Sequence, residues 1–323
     1  MISDAKSQSL DRVTRVSVVI PFYNRADCIE RTLRSVLDQT YPHWEILIVD
    51  DGSQVKERIR LLEIVEGLGS ERIQVLVQAE NRGGGAARNV GMLAASGTYI
   101  ALLDSDDEWH PGKLEAQVQL HEGRGPMLVS YTRSVIKFGG LRGTQAAMPD
   151  HAIGDSRIAD YLFYTGGFMP TPSLFGSTEA FSKCLFDTSL RRHQDYDFLL
   201  SLEEFGCQFE MLEDVLVTIH WEDVGTSDGE RFYCPDVSEQ FIADRSALFS
   251  RHAAAAFRLN NVFAPRRKKE GLRSAWYGGW WADMWGVKSW RVRIVSLSLL
   301  LFNSTFPLKI ARNFLKLMGR KTA

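Results

Sequence analysis

The sequence predicts an α/β domain built on a doubly wound parallel sheet, followed by a helical extension. Three observations point there. Four apolar runs alternate with segments of helical period as far as Leu103. Carboxylates gather where the second and fourth runs end, at Asp50-Asp51 and at Asp104 to Asp107. Beyond about residue 236 the composition turns basic and tryptophan-rich. We therefore expect a body over 1–235, with halves over 15–110 and 111–235, and an extension over 236–323.

Residues 16–20, Val-Ser-Val-Val-Ile, are rich in β-branched side chains and read as a buried strand that Pro21 stops. From 27 to 39 the apolar residues Cys28, Ile29, Leu33, Val36 and Leu37 follow helical spacing. Residues 45–49 form a second strand and about 56–65 a second helix. Residues 73–77 form a third strand, and a helix carrying Arg88 and Asn89 follows from about 86 to 95. The fourth strand, 99–103, lacks alternation, as suits a strand covered on both faces. Right-handed crossovers bring the ends of such strands to one edge of the sheet, where open α/β folds bind ligands.

The chemistry expected at that edge is anionic. Three carboxylates within four positions repel one another unless a cation sits among them, and a hard divalent ion suits carboxylate oxygens and phosphates. An acidic turn in which Asp106 or Asp107 only caps the next helix is the alternative. A dinucleotide dehydrogenase would need G-x-G-x-x-G after the first strand, where this chain has Pro21-Phe22-Tyr23-Asn24. A Walker A loop is also absent. The cysteines, Cys28, Cys184, Cys207 and Cys234, form no CxxC pair, which argues against zinc, and the polar stretch from Met1 to Arg15 shows no signal-peptide core, so free thiols in a reducing cytosol are expected.

Four segments, VSVVIPFYNR, LIVDDGS, NRGGGAARNVG and ALLDSDDEWHP, together resemble glycosyltransferase family 2, in this order and over about 16–219. The resemblance implies a GT-A fold and inverting transfer of a sugar from a nucleotide diphosphate sugar, with UDP the usual carrier, aided by Mn²⁺ or Mg²⁺. It places Pro21, Tyr23 and Arg25 against the base, and Asp51, with Asp50 beside it, on base or ribose. Asp104, Ser105, Asp106 and Asp107 become the DxD motif, with Asp104 nearer the ribose, Asp106 on the metal and Asp107 sharing either role. Arg82 and Arg88 approach the donor; a helix-surface ion pair is the plainer reading of Arg88.

Residues 127–138 read as a strand, 139–149 as a mobile loop, and 165–177 as a loop rich in Gly, Pro and hydroxyls; the resemblance implies acceptor or pyrophosphate contacts there, and a plain turn is the alternative. At 194–195 the family commonly has Glu-Asp and this chain has Gln-Asp. The resemblance makes Asp195 the general base, at the head of a helix over 197–205; a helix cap is the competing role. A strand over 209–219 ends at His220, either a metal ligand or a structural histidine. No Q-x-x-R-W signature follows, so a single transfer per encounter is expected. Nucleotidyl transfer and a non-catalytic sugar-nucleotide-binding module are the rivals.

A helix is expected over 237–259. Of 38 Lys+Arg and 40 Asp+Glu, 15 and two fall between Arg251 and Ala323, so that stretch carries +13, the rest −15, and the whole −2. Five of the eight tryptophans lie from Trp276 to Trp290, and 294–308 is uncharged but too short to span a bilayer. These features suggest a helix on an anionic membrane surface, or else a subdomain packed on the core. The expected partners are thus a nucleotide diphosphate sugar, a glycan or lipid-linked acceptor and a membrane surface, with no nucleic acid. The expected location is cytoplasmic, at the inner face of the inner membrane.

Overall fold

A computed structural model describes residues 14–138, 145–221, 234–263 and 265–266. They fall into two compact units, the first within Met1–Gly154 and Met169–Asp223, the second within Asp155–Phe168 and Val224–Ala323. The segment 155–168, expected in the body, therefore belongs with the second unit.

In the first unit the expected alternation is present. Strand β1 (Val16–Phe22), helix α1 (Ile29–Leu37), β2 (Trp44–Asp50), α2 (Val55–Leu68), β3 (Ile73–Val77), α3 (Gly84–Ala94) and β4 (Tyr99–Leu102) follow in order. The strands lie β3-β2-β1-β4, all parallel. Every residue of β2 and all but Pro21 of β1 are buried, as a strand covered on both faces requires. Helix α1 presents Ile29, Leu33 and Val36 to the core at helical spacing. Helix α3 lies so close to β1 that a Cβ on Gly91 would come within 2.4 Å of Val19 Cγ1, so only glycine permits the approach.

Then come β5 (Glu108–Trp109), α4 (Lys113–His121), β6 (Leu128–Phe138), β7 (Gln145–Met148), β8 (Phe175–Ser177), α5 (Thr178–Lys183), α6 (Gln194–Glu204) and β9 (Gln208–Trp221). They extend the sheet to β3-β2-β1-β4-β8-β6-β9-β5, with β8 antiparallel to β4 and β6 parallel to β9.

Several expectations change. Residues 145–148 are not loop but strand β7, paired with β6 from Ser134↔Met148 to Lys137↔Gln145. The stretch expected as a loop to 177 ends in a 3₁₀ turn, Thr171–Ser173, and in β8, which fills the gap between β4 and β6. Helix α6 starts three residues before 197, so Asp195 lies in its first turn and His193, with φ 65°, holds the cap position.

In the second unit the single helix expected over 237–259 is two, α7 (Pro235–Asp244) and α8 (Arg251–Arg258). The break has a local cause: extended Phe249 precedes Ser250, whose hydroxyl accepts from Ala253 N–H at 3.1 Å and starts a new helix. Phe163, Phe241, Phe249 and Phe257 cluster around it, with Phe163 stacked on Phe249 at 5.5 Å. No helix among the described residues is long and apolar enough to cross a membrane. The tryptophan cluster, the 294–308 run and residues 267–269 lie outside the described residues.

Candidate active site

The edge at the carboxyl ends of β1, β2 and β4 is built mainly from backbone and carboxylates. After β1 the turn Tyr23-Asn24-Arg25 is tied to the loop after β2. Asn24, with φ 51°, donates its N–H to Ser53 Oγ at 3.0 Å, and its Oδ1 accepts from Gln54 N–H at 2.9 Å. Tyr23 and Arg25 are left about half exposed, while Pro21 stays in the sheet opposite Val49.

The two aspartates ending β2 turn inward. Asp50 is fully buried; Oδ1 accepts from Ser53 N–H at 2.9 Å and Oδ2 is paired with Arg58. It anchors the start of α2 and has no open face for a ligand, unlike the nucleotide contact expected of it. Asp51 is also buried, and receives Gln78 Nε2 at 3.0 Å and the N–H groups of Arg82 and Gly83, each at 2.8 Å. It thus folds the loop before α3 against β2 and leaves the Arg82 side chain exposed.

The turn after β4 is the acidic centre. Asp107 N–H closes it onto Asp104 O at 3.1 Å. Helix α1 grips it from outside: Thr32 Oγ1 donates to the carbonyls of Ser105 and Asp107, and Arg31 Nη2 to that of Asp106 at 2.6 Å. Ser105 is thereby buried and contributes its backbone. The three carboxylates then fan out. Asp104 pairs with Arg88, and Asp106 with Arg25 at 3.3 Å. Asp107 is buried and accepts His220 N–H at 2.9 Å; burial, then the charges of Asp104 and Asp106, push its carboxyl up to about 8.

Glu108 was not singled out from the sequence. It pairs with His220 Nε2 and lies 3.3 Å from Arg31 Nε, closing a ring behind the turn. His220 is thereby engaged on both sides, its backbone N–H by Asp107 and its ring by Glu108. Among the described residues no three His, Cys, Asp or Glu side chains are grouped to hold a metal ion. The chemistry of the turn nevertheless fits one. Its donors are hard oxygens, Asp104 and Asp106 are each about 30% exposed, and their charges add to the burial that pushes Asp107 up, a crowding of carboxylates that a cation relieves.

Helix α6 brings the last group. Asp195 is exposed and Asp197 buried, as positions two apart on a helix must diverge. Protein nonetheless crowds the Asp195 carboxyl: lost hydration raises its pKa most, Asp104 adds to the rise, and backbone N–H groups and Arg88 oppose it. Arg88 therefore links the acidic turn and Asp195. Its guanidinium lies over the Phe186 ring at 5.4 Å, and its Nε is buried with no hydrogen-bond partner.

A parallel half whose strand ends carry acidic turns, completed by a mixed half that delivers one carboxylate from a helix, is the architecture of GT-A glycosyltransferases. The structure resembles S. aureus TarS 1–349 in complex with UDP (TM-score 0.56, 20% identity, 88% of this chain and 79% of that one). It is equally similar to the mannosyltransferase PcManGT of Pyrobaculum calidifontis (TM-score 0.56, 17% identity, 89% and 85%). The model of glycosyl transferase family 2 matches residues 17–185, and the chain belongs to that family. It is 32% identical to the amylovoran biosynthesis glycosyltransferase AmsB of Erwinia amylovora over 63% of this chain and 69% of that protein. It is 41% identical over 105 residues to WfgD of Escherichia coli, a UDP-Glc:alpha-D-GlcNAc-diphosphoundecaprenol beta-1,3-glucosyltransferase, of whose length it spans 40%.

Proposed function

We propose that this glycosyltransferase moves one sugar, with inversion, from a nucleotide diphosphate sugar to an acceptor hydroxyl, in the synthesis of a cell-surface polysaccharide or lipid-linked glycan. The observation that carries the reading is that Arg88 pairs with Asp104 at a strand end while its charge also acts on Asp195, a carboxylate brought from a second element. UDP is the carrier we favour; TarS is described with UDP, and WfgD is named for UDP-Glc and a diphosphoundecaprenol acceptor.

In this reading Tyr23 and Arg25 face the base, and Asp51 holds the 82–83 backbone that shapes its pocket. Arg88, whose buried Nε lacks a partner, donates to the donor's diphosphate. Asp104 and Asp106, with Asp107 behind them, would hold a divalent ion, which when bound neutralises charge on the departing diphosphate. PcManGT is described with GDP-Man and Mn²⁺. Asp195 takes the proton from the acceptor hydroxyl as that oxygen attacks the anomeric carbon. Its raised pKa favours that transfer, because a stronger conjugate base accepts a proton more readily. The basic residues beyond Arg266 attract an anionic membrane surface and with it a lipid-linked acceptor.

The test is product analysis with UDP- and GDP-sugars, Mn²⁺ and lipid-linked acceptors. Release of nucleoside diphosphate with a glycosylated acceptor supports the reading. Formation of a nucleotide sugar from sugar phosphate and nucleoside triphosphate marks nucleotidyl transfer, and binding with no turnover of any donor marks a binding module.

A further inference from the structure

Gln194 stands where the family commonly has glutamate, and its surroundings ask for an amide. Its Oε1 accepts from Gly85 N–H at 3.1 Å, and its Nε2 donates to the Leu190 carbonyl. The two partners have opposite polarity. An amide serves both at once, whereas an ionised carboxylate only accepts and would set a lone pair against the Leu190 oxygen. It would also add a negative charge beside Asp195.

The contact joins two helix starts. Gly85 lies in the first turn of α3, where N–H groups have no partner within the helix, and Gln194 supplies one from the first turn of α6. The approach is close: a Cβ on Gly85 would stand 2.9 Å from Gln194 Oε1 and 3.2 Å from Phe186 Cβ. On the same face of α3, Asn89 exchanges two 2.8 Å hydrogen bonds with the Phe186 backbone, and Arg88 reaches Asp104. This face therefore ties the acidic turn to the start of α6.

We infer that Gln194 is a positioning residue for Asp195: by joining the first turns of α3 and α6 it sets the Asp195 carboxylate against Arg88 and Asp104, and it does so as an amide. The inference rests on Asp195 being the base. A misplacement of about 1 Å costs up to about 10²-fold in rate.

Two measurements on the full chain with Gln194→Glu and Gln194→Ala test it. The first is hydrogen exchange of the peptide containing Gly85, without substrate. The Gly85 amide should exchange at least about tenfold faster in Gln194→Ala; unchanged exchange overturns the bridge whatever the activity. The second is steady-state kinetics. In both variants kcat should fall about 10- to 100-fold with donor KM within twofold and a melting temperature lowered by no more than about 4 °C. Full activity in Gln194→Glu overturns the need for an amide. A parallel loss of kcat, donor affinity and stability overturns positioning in favour of a merely structural role. Should the wild-type protein transfer no sugar from any donor, the glycosyl-transfer reading fails and the exchange measurement alone judges the bridge.

Discussion

Arg88 on α3 is paired with Asp104 at the end of β4, and the same positive charge opposes the burial-driven rise in the pKa of Asp195 on α6. One guanidinium thus couples the acidic turn to a carboxylate 91 positions beyond Asp104 in sequence.

Removing that charge should move the acid side of the pH–rate profile. Arg88 opposes the upward push on Asp195, so Arg88→Gln lets the Asp195 pKa rise further. A base works deprotonated, so activity in the variant should be lost at a higher pH than in the wild type. Profiles of kcat between pH 5 and 8 check the sign; a shift toward lower pH sinks the coupling. Donor KM should rise as well, because Arg88 also faces the diphosphate in the proposed mechanism.

Asp195 and Asp197 should separate cleanly. Asp195→Asn should lower turnover about 10²–10⁴-fold, the usual contribution of a general base, and leave donor affinity near the wild-type value. Asp197 is buried, so Asp197→Asn should cost about 1–3 kcal/mol of stability with turnover per folded molecule little changed. Denaturant titration beside kinetics distinguishes the two. Reversed effects would move the base to Asp197.

Donor binding should depend on a divalent ion at the turn after β4. Calorimetric titration of UDP with Mn²⁺ and then with EDTA gives the answer, and equal affinity in both removes the ion from the mechanism. Asp106→Asn should weaken binding more than Ser105→Ala, because Ser105 is buried and its carbonyl is what Thr32 holds.

Much of this was legible beforehand, and the division follows physical lines. The four parallel strands and the place of the acidic turn were readable because burial on both faces leaves unbroken apolar runs, and charges appear where the chain leaves the sheet. β3 runs over 73–77 as expected. What escaped depends on partners far apart in sequence. Nothing near Asp51 announces that the N–H groups of Arg82 and Gly83 occupy its oxygens, and nothing near Glu108 announces His220. The bond from Gln194 to Gly85 spans 109 positions. Short elements such as β7 and β8 carry too few residues to show a period; their strand character comes from pairing with β6.

The fourth prediction concerns stability and rests on a group remote from catalysis. His121 ends α4 with 1% of its surface exposed; Nε2 is 2.9 Å from Ser130 Oγ, and the ring meets Tyr99 and Phe175 edge-on at 5.2 and 4.9 Å. Burial, with a lesser push from Arg124, lowers its pKa to about 4, against an ordinary value of 6.5. The folded protein therefore holds the neutral ring while the unfolded chain takes up a proton. Its contribution to stability is full above pH 6.5 and is lost as the pH falls toward 4. By linkage, about 2 kcal/mol should go between pH 7 and pH 5 from this residue. His193, lowered to about 3 by burial and Arg192, acts in the same direction, whereas Asp107, pushed up to about 8, acts in the opposite one, so the contribution of His121 is read as the difference between wild type and variant at each pH. His121→Phe keeps an aromatic ring in the pocket and cannot titrate. It should cost about 1 kcal/mol at pH 7 through the lost hydrogen bond and flatten the slope by about 2 kcal/mol. Urea unfolding at pH 7, 6 and 5 measures both, and a slope unchanged by the substitution would show that His121 is not the titrating group.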